Sequence, residues 1–285
     1  MSGAAMPAVA AGAPALVLRR IGLYVFLAVV TAFFALPLLW LITAPLAAHP
    51  GYSVRWPQHV TSANFGTLYH DPQAVPSLWN AVWLAAGTMI FTVAAAALAA
   101  YALSRVRLPG RDALLYALLL LSSVITGTAA MVPIFQLMFD LHLIDNRIGL
   151  MLVLTGGLLP AAIFILKDFM DGTPASYEES ARVFGAGPVR ILWQIVVPVV
   201  RPGLATIAVW AVVNVWGNFL MPYLLLQDPA KQPAAVTLNS FYTQSGQPDL
   251  GLIAAFSLVY SIPVVLLYVF VQKRYGFRFY GGIKS

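Results

Sequence analysis

The sequence predicts an all-α polytopic membrane protein: six transmembrane helices, with a short helix in the loop between the fourth and fifth. Three observations carry this. Of 285 residues, 60% are hydrophobic and only 9% charged. Several apolar runs exceed the ~20 residues that cross a ~30 Å hydrocarbon core. Those runs are continuous rather than alternating, which excludes a strand barrel. The chain has no Cys, so thiol chemistry, disulfides and thiolate metal sites are excluded as well.

Taken in order, residues 1–18, "MSGAAMPAVAAGAPALVL", are rich in Ala, Pro and Gly and are expected to be a disordered leader, with a single transmembrane domain over 19–285. Arg19-Arg20 opens the first span, Ile21–Thr43. Its roughly 23 apolar residues exceed the roughly 7–15 of a signal peptide, so it reads as uncleaved. The further spans are Leu78–Leu103, Ala113–Phe139, Ile148–Leu166, Leu204–Leu226 and Leu250–Val271. A charged loop of about 168–203 separates spans four and five, and 273–285 form a tail.

Charge placement orients the bundle. With six spans the termini share one side, and the loops there hold Arg19, Arg20, Arg105, Arg107, Arg111, Lys167, Arg182, Arg190, Arg201, Lys273, Arg274, Arg278 and Lys284, which is 13 of the 16 basic residues. The opposite loops keep Arg55, Arg147 and Lys231. The positive-inside rule therefore puts both termini and the 168–203 loop in the cytoplasm. This lopsided placement, rather than nucleic-acid binding, accounts for the net charge of +6.

The spans carry no ionisable side chain, since all ten acidic residues fall in loops or at span ends. Carriers driven by protons or sodium normally bury a carboxylate near the midplane, so ion coupling is disfavoured. The four histidines, His49, His59, His70 and His142, lie in the outer loops, and no catalytic set can be assembled within the bilayer. There is no G-x-x-x-x-G-K-[ST] phosphate loop, so energised work would need a partner.

The loop "TPASYEESARVFGAGPVRILWQIVVPVVRPG", Thr173 to Gly203, concentrates the charge. Thr173-Pro174 and the capping box Ser176-x-x-Glu179 predict a helix start, with Glu178 and Glu179 complementing the dipole. Glu178 and Arg182 stand four apart, and Gly185 with Gly187 supplies a left-handed stop. The short helix would offer Tyr177, Ala181 and Phe184 on one side. Pro188 opens a second helix with Val189, Leu192, Ile195, Val196 and Val199 along one face, bent or ended at Pro198. From the residues alone, this loop is either a docking surface or a cap over the bundle end.

"EESARVFGAGPVRILWQIVVP" resembles the EAA signature of the membrane subunits of binding-protein-dependent ABC importers. Glu179, Ser180, Ala181, Gly185, Ile195, Val197 and Pro198 fall on the pattern, while Ser180, Val197 and Phe184 replace its usual Ala, Leu and Asp. In order along the chain, "WP" at Trp56-Pro57, "NF" at Asn64-Phe65, "AAYALSRVRLPGRD", "LIDN" and the terminal "FYGGIKS" resemble the carbohydrate-type permease subunits exemplified by the maltose importer. The resemblance implies a type I ABC importer-like fold whose loop helix, carrying Tyr177, Glu178, Glu179, Ser180, Ala181, Arg182, Phe184, Gly185 and Pro198, docks on an ATPase. Small Ala181 and Gly185 would allow close approach.

The implied partners are a second homologous permease subunit, two ATPase subunits and an extracytoplasmic solute-binding protein, within membrane lipid. This chain would bind no cofactor, ATP and Mg being held by the ATPases. The tail residues Gly281, Gly282 and Lys284 would contact the ATPase dimer. The competing reading is a membrane scaffold that recruits a soluble cytoplasmic partner and transports nothing.

For a solute path, the fifth span offers Asn214 and Asn218, four apart on one face, with Trp216 about 200° around. Amides there can bond sugar hydroxyls or tie helices together. In the third span Ser122, Ser123, Thr126, Thr128 and Gln136 are secondary candidates. The outer loop Gln227 to Asp249, with "LNSFYTQSGQPD", either reaches a binding protein or simply covers the bundle.

Overall fold

The computed structural model describes residues 13–57, 59–106, 109–125, 130–241 and 248–275, which form helices joined by turns and irregular segments, with an isolated antiparallel bridge between Ala47 and Val60. They form two compact units, one of residues up to Thr67 with Asp249–Leu258, the other Leu68–Pro248 with Val259 onward.

The first unit holds α1 (Ala13–Thr43), the start of α2 (Ala63–His70) and the start of α13 (Leu250–Tyr275). Helix α1 begins six residues inside the expected leader, because Pro14 suits a first helical turn and "ALVLRR" continues it. Its membrane-length segment is entirely unburied, with Phe33 and Phe34 exposed. A helix apolar all round is made for apolar surroundings on every side, as in a membrane. The turn after it is tied by Asn64, whose Nδ2 donates to the carbonyls of Pro45 (2.8 Å) and Ala47 (3.1 Å). A Cβ at Gly251 would lie 2.6 Å from Asn64 Oδ1, so this contact requires glycine.

The second unit is built on α3 (Ala74–Arg105), which packs against α6 (Arg147–Asp171) and α10 (Arg201–Trp216). Its buried stripe is small: Ala74, Ser77, Ala81, Ala85, Thr88, Thr92, Ala96 and Ala100 recur three or four apart. Small residues let helix backbones approach closely in lipid, where dispersion rather than the hydrophobic effect joins helices. Where α3 and α6 end, a further core of Ile163, Leu166, Met170, Ile191, Leu192, Val196 and Val200 fixes the 168–203 loop against the bundle.

Among the described residues four helices are long and apolar enough to cross a membrane, α1, α3, α6 and α13, and one bent pair can make a fifth. Two expected spans differ from the structure. Over Ala113–Phe139 the described residues form α4 (Arg111–Ile125) and α5 (Met131–Asp140), each shorter than a span, and 126–129 lie outside the described residues. Pro133 lies in the first turn of α5, where a missing N–H costs nothing. The fifth span starts earlier and stops sooner than Leu204–Leu226: α10 ends at Trp216, Gly217 follows, and α11 (Leu220–Leu225) is separate. Pro222 cannot donate the bond that would continue α10 across this gap.

Before α10 come α7 (Ser176–Val183), α8 (Pro188–Ile191), a π-helical turn Leu192–Val196, and α9 (Val197–Val199). Pro188–Val199 meets Arg201–Trp216 at 78°. The bend falls at Val200 (φ −87°, ψ 13°), between Pro198 and Pro202. The π turn also corrects the expected apolar face. Its extra residue shifts the register, so Ile191, Leu192, Val196 and Val200 are buried while Val189 and Val199 are exposed. Between α11 and α13, 3-10 turns at Pro229–Lys231 and Leu238–Phe241 flank α12 (Ala234–Thr237).

Candidate functional site: the α7 loop

Helix α7 does not start on the expected capping box. Ser176 is already its first residue, and Ala175 occupies the cap with no side-chain bond. Glu178 and Glu179 do occupy the first turn, where they complement the dipole. The helix ends as the glycine spacing predicts: Gly185 adopts φ +80°, its N–H donates to Arg182 O (2.9 Å), and Ala186 N–H donates to Ala181 O (3.0 Å). These two bonds are the Schellman pattern, which only a left-handed residue closes cheaply.

The structure turns Glu178 inward, contrary to its expected place on a docking face. It is 2% exposed and its Oε1 accepts from Arg105 Nε at 2.6 Å, while Oε2 accepts from the Tyr101 hydroxyl at 3.1 Å. The expected pair with Arg182 exists only as a long contact, 3.9 Å. Arg105 also donates to Thr173 O (3.3 Å) and Ser104 Oγ (3.1 Å). Ser104 continues the network to Asp171 (2.5 Å), which pairs with Lys167 (2.6 Å). A buried carboxylate needs such compensation, because desolvation alone is costly. The α7 loop is thus pinned to the end of α3. An open recess of about 700 Å³ lies over this network, lined by Arg105, Arg111, Glu178, Glu179 and Arg182 among others.

Ala181 also turns inward, packing against the loop core, because the face it shares with Glu178 is the buried one. What α7 and its turn leave outside is Tyr177, Val183 and Phe184, the last 90% exposed, together with Glu179, Ser180, Arg182 and Gly185; Val189 in α8 is exposed as well. Pro198 is half-buried in α9, a bend element away from that patch.

The expected path residues separate. Asn214 and Asn218 both line a cavity of about 180 Å³ with Ile134, Leu154 and Gly157. They do not share one helix, however. Asn214 Nδ2 donates to Trp210 O within α10 (2.8 Å), while Asn218 Oδ1 accepts from Met221 N–H (3.2 Å) and so caps α11. Trp216 lies outside that cavity's lining: it is buried, stacks on Tyr260 (5.3 Å, 18°), and donates from Nε1 to Tyr260 O (3.2 Å). The Tyr260 hydroxyl donates back to Trp216 O. Gln136 is exposed on α5, outside that cavity's lining. Thr126, Thr128, Gly281, Gly282 and Lys284, and the side chains of Ser122 and Ser123, lie outside the described residues.

The family model described as "Binding-protein-dependent transport system inner membrane component" matches residues 5–279. The chain belongs to this family. Among its relatives are the maltodextrin transport system permease protein MdxG of Bacillus subtilis (strain 168), 31% identical over 90% of this chain and 93% of that one. The galactooligosaccharides transport system permease protein GanQ of the same organism is 29% identical, over 90% of this chain and 93% of that one. The fold matches a chain from the crystal structure of a bacterial ABC transporter involved in import of the acidic polysaccharide alginate. There the TM-score is 0.79, at 23% identity over 95% of this chain and all of that one.

Sequence reasoning missed three residues of this permease that the loop depends on: Tyr101, Arg105 and Asp171. The signal was present in "AAYALSRVRLPGRD", where Arg105 closes a helix that has no acid of its own; only the fold brings Glu178 to it. In the same way "LIDN" proves to be a cap and a clamp. Asn146 Oδ1 accepts from the N–H groups of Ile148 (2.8 Å) and Gly149 (3.3 Å), starting α6. Asp145, at φ 58°, pairs with Lys231 (2.6 Å) and accepts from Asp228 N–H (3.0 Å).

Lys231 and the Asp228 backbone hold the Asp145 carboxyl below its usual range, and Asp145 holds the Lys231 ammonium above its own. A depressed carboxylate contributes stability above its unfolded pKa and loses it as pH falls through the folded value. A raised ammonium contributes below its unfolded pKa and loses it as pH rises past the folded one. The clamp is therefore constant across about pH 5–9 and weakens outside it. Lys231→Met should make the acid-side loss of thermal stability shallower between about pH 5 and 3. Equal slopes for variant and wild type would show that the pair contributes nothing. The effect is small, because both side chains of the pair stay partly open to solvent, 36% and 30% exposed.

Proposed function

We propose that this permease forms half of the translocation path of an ATP-driven importer for a sugar or a related polyol or glycerophospho solute. The observation that carries the coupling role is the set of exposed apolar side chains, Tyr177, Val183, Phe184 and Val189, held on a loop that a buried ion pair locks to α3. An apolar patch on a charged, water-facing loop is the signature of a protein partner. The sugar class is supported by the printed activities of the maltodextrin and galactooligosaccharide relatives. A solute-binding protein partner is supported by the family's description.

In this reading the six-span bundle has both termini and the α7 loop in the cytoplasm of a prokaryotic cell whose inner membrane it crosses. Two ATPase subunits dock there, holding ATP and Mg, and this chain binds no cofactor and catalyses nothing itself. A second homologous permease subunit covers the unburied length of α1. The cavity beside Asn214 and Asn218 lies on the solute path. It is smaller than the roughly 300–1,000 Å³ of closed ligand sites, as suits a path completed by a second subunit.

Two measurements test the reading. Purification of the tagged chain from its native membrane should bring down an ATPase with its own phosphate loop. A lone permease would point to the scaffold alternative. Single cysteines at Ser176 and Ser245 of this Cys-free chain should label from opposite faces of sealed vesicles, and labelling from one face would overturn the six-span topology. The tail Gly281 to Ser285 is assigned to the ATPase dimer, since two adjacent glycines let backbone enter a narrow gap. Deleting those five residues should lower coupled transport while insertion and assembly persist; transport at the wild-type rate would leave the tail without a role.

A further inference from the structure

The two polar hubs of the second unit sit at opposite ends of the same helix. At one end of α3, Arg105 and Tyr101 hold Glu178 of the α7 loop. Towards the other, buried Asn80 donates from Nδ2 to the carbonyls of Ala230 (2.9 Å) and Gln232 (3.1 Å), and its Oδ1 accepts from Arg147 Nη2 (2.7 Å). The hubs lie roughly 38 Å apart along the axis at about 1.5 Å per residue. Ala230 and Gln232 flank Lys231, which is itself clamped to Asp145, so this hub gathers the start of α6 and the loop that follows α11.

Between the hubs α3 is unbroken. The other three long helices carry an interior proline, Pro37 in α1, Pro160 in α6 and Pro263 in α13, whereas the proline of α3, Pro76, lies in its first turn. Proline is the usual cause of a sharp kink, and of these four helices only α3 runs without an interior one. The middle of its seam is also free of directional bonds: the buried hydroxyls of Thr88 and Thr92 on α3 and Thr155 on α6 have no hydrogen-bond partner. A stripe of Ala and Thr packed only by dispersion resists separation more than sliding.

We infer that α3 is a transmission rod that carries displacement of the α7 loop to the outer loop at Ala230–Gln232, with Arg105, Glu178 and Asn80 as its positioning residues. The inference rests on the proposed docking of α7 to an ATPase and adds the route by which that docking reaches the solute side. Motion of α7 must move Arg105, since breaking the pair would leave a buried carboxylate uncompensated. A straight helix then delivers the shift to Asn80. Because coupling is reciprocal, an event at the outer loop biases the ATPase site by the same path.

The test uses the whole importer in proteoliposomes with its sugar-loaded binding protein, comparing Asn80→Asp, Glu178→Gln and the double variant. Asn80→Asp keeps the acceptor for Arg147 and loses both donors to the outer loop. The readouts are ATPase content per permease and the stimulation of ATP hydrolysis by the loaded binding protein. Each single variant should keep its ATPase content and lower stimulation about five- to tenfold. The double should fall no further than the worse single, because a rod already cut cannot be cut again. Sites this far apart are ordinarily independent, so multiplying effects would overturn the rod. So would wild-type stimulation in Asn80→Asp at wild-type ATPase content. Where Glu178→Gln fails to assemble, the paired replacement Arg105→Met with Glu178→Met, which removes the ion pair without leaving a buried charge, takes its place in the cycle, with the same expected and overturning results. A wild-type complex that holds no ATPase would overturn the docking reading, and this one with it.

Discussion

Phe184→Asp is expected to release the ATPase from the complex while leaving the permease itself folded. Phe184 is 90% exposed at the end of α7, beside exposed Val183 and close in sequence to Val189. A large aromatic side chain held outside by a rigid turn costs solvation in the free chain and is the kind of anchor that dominates interfaces, where truncation costs about 2 kcal/mol or more. That is about 30-fold in affinity, and the introduced carboxylate adds a desolvation cost. Folding stability should change by no more than about 0.5 kcal/mol, since the side chain packs on little of its own protein. Pull-down of the ATPase by tagged permease measures the first quantity, and thermal unfolding the second. Full ATPase capture by the variant would mean that the patch meets something else. A stability loss of several kcal/mol would mean that Phe184 belongs to the fold.

Gly185→Trp should leave the protein inserted but uncouple ATP hydrolysis from transport. At φ +80° the backbone is left-handed, and an L side chain there costs about 1–2 kcal/mol. No neighbour lies within 4 Å of the added Cβ, so the penalty is conformational and the ring would project into the space that a docked partner occupies. Gly185→Ala separates the two effects, since it carries most of the backbone penalty with little bulk. Stimulation of ATP hydrolysis by the loaded binding protein should be near basal in the Trp variant and largely kept in the Ala variant. Equal loss in both would assign the effect to the turn alone. Wild-type stimulation in the Trp variant would reduce the loop to a cap.

The membrane class, four of the long helices and the helix-turn-helix of the loop are legible in the sequence because their causes are local. Apolar run length specifies a span whatever packs beside it, and Gly185 specifies a left-handed stop from within six residues. The spans that departed from expectation did so where helical continuity depends on more than hydropathy. Pro222 after Gly217 divides the fifth, and α4 and α5 stand where one run was read. Both runs are apolar enough overall to read as single spans, although the small and polar residues of "SSVITGTAA" and "NVWGNF" interrupt them.

The sidedness of α7 was decided by tertiary structure. Two adjacent glutamates of equal local propensity have opposite fates, because Arg105 and Tyr101 stand at the end of α3 to receive Glu178, while Glu179 faces out. The same holds for Trp216, whose indole finds the Tyr260 carbonyl on another helix, and for the apolar face after Pro188, which a single π turn rotates. For Glu178 and Trp216 the deciding partner lies outside the window over which periodicity operates. Helical spacing says which residues share a face, and only the packed chain says what that face meets.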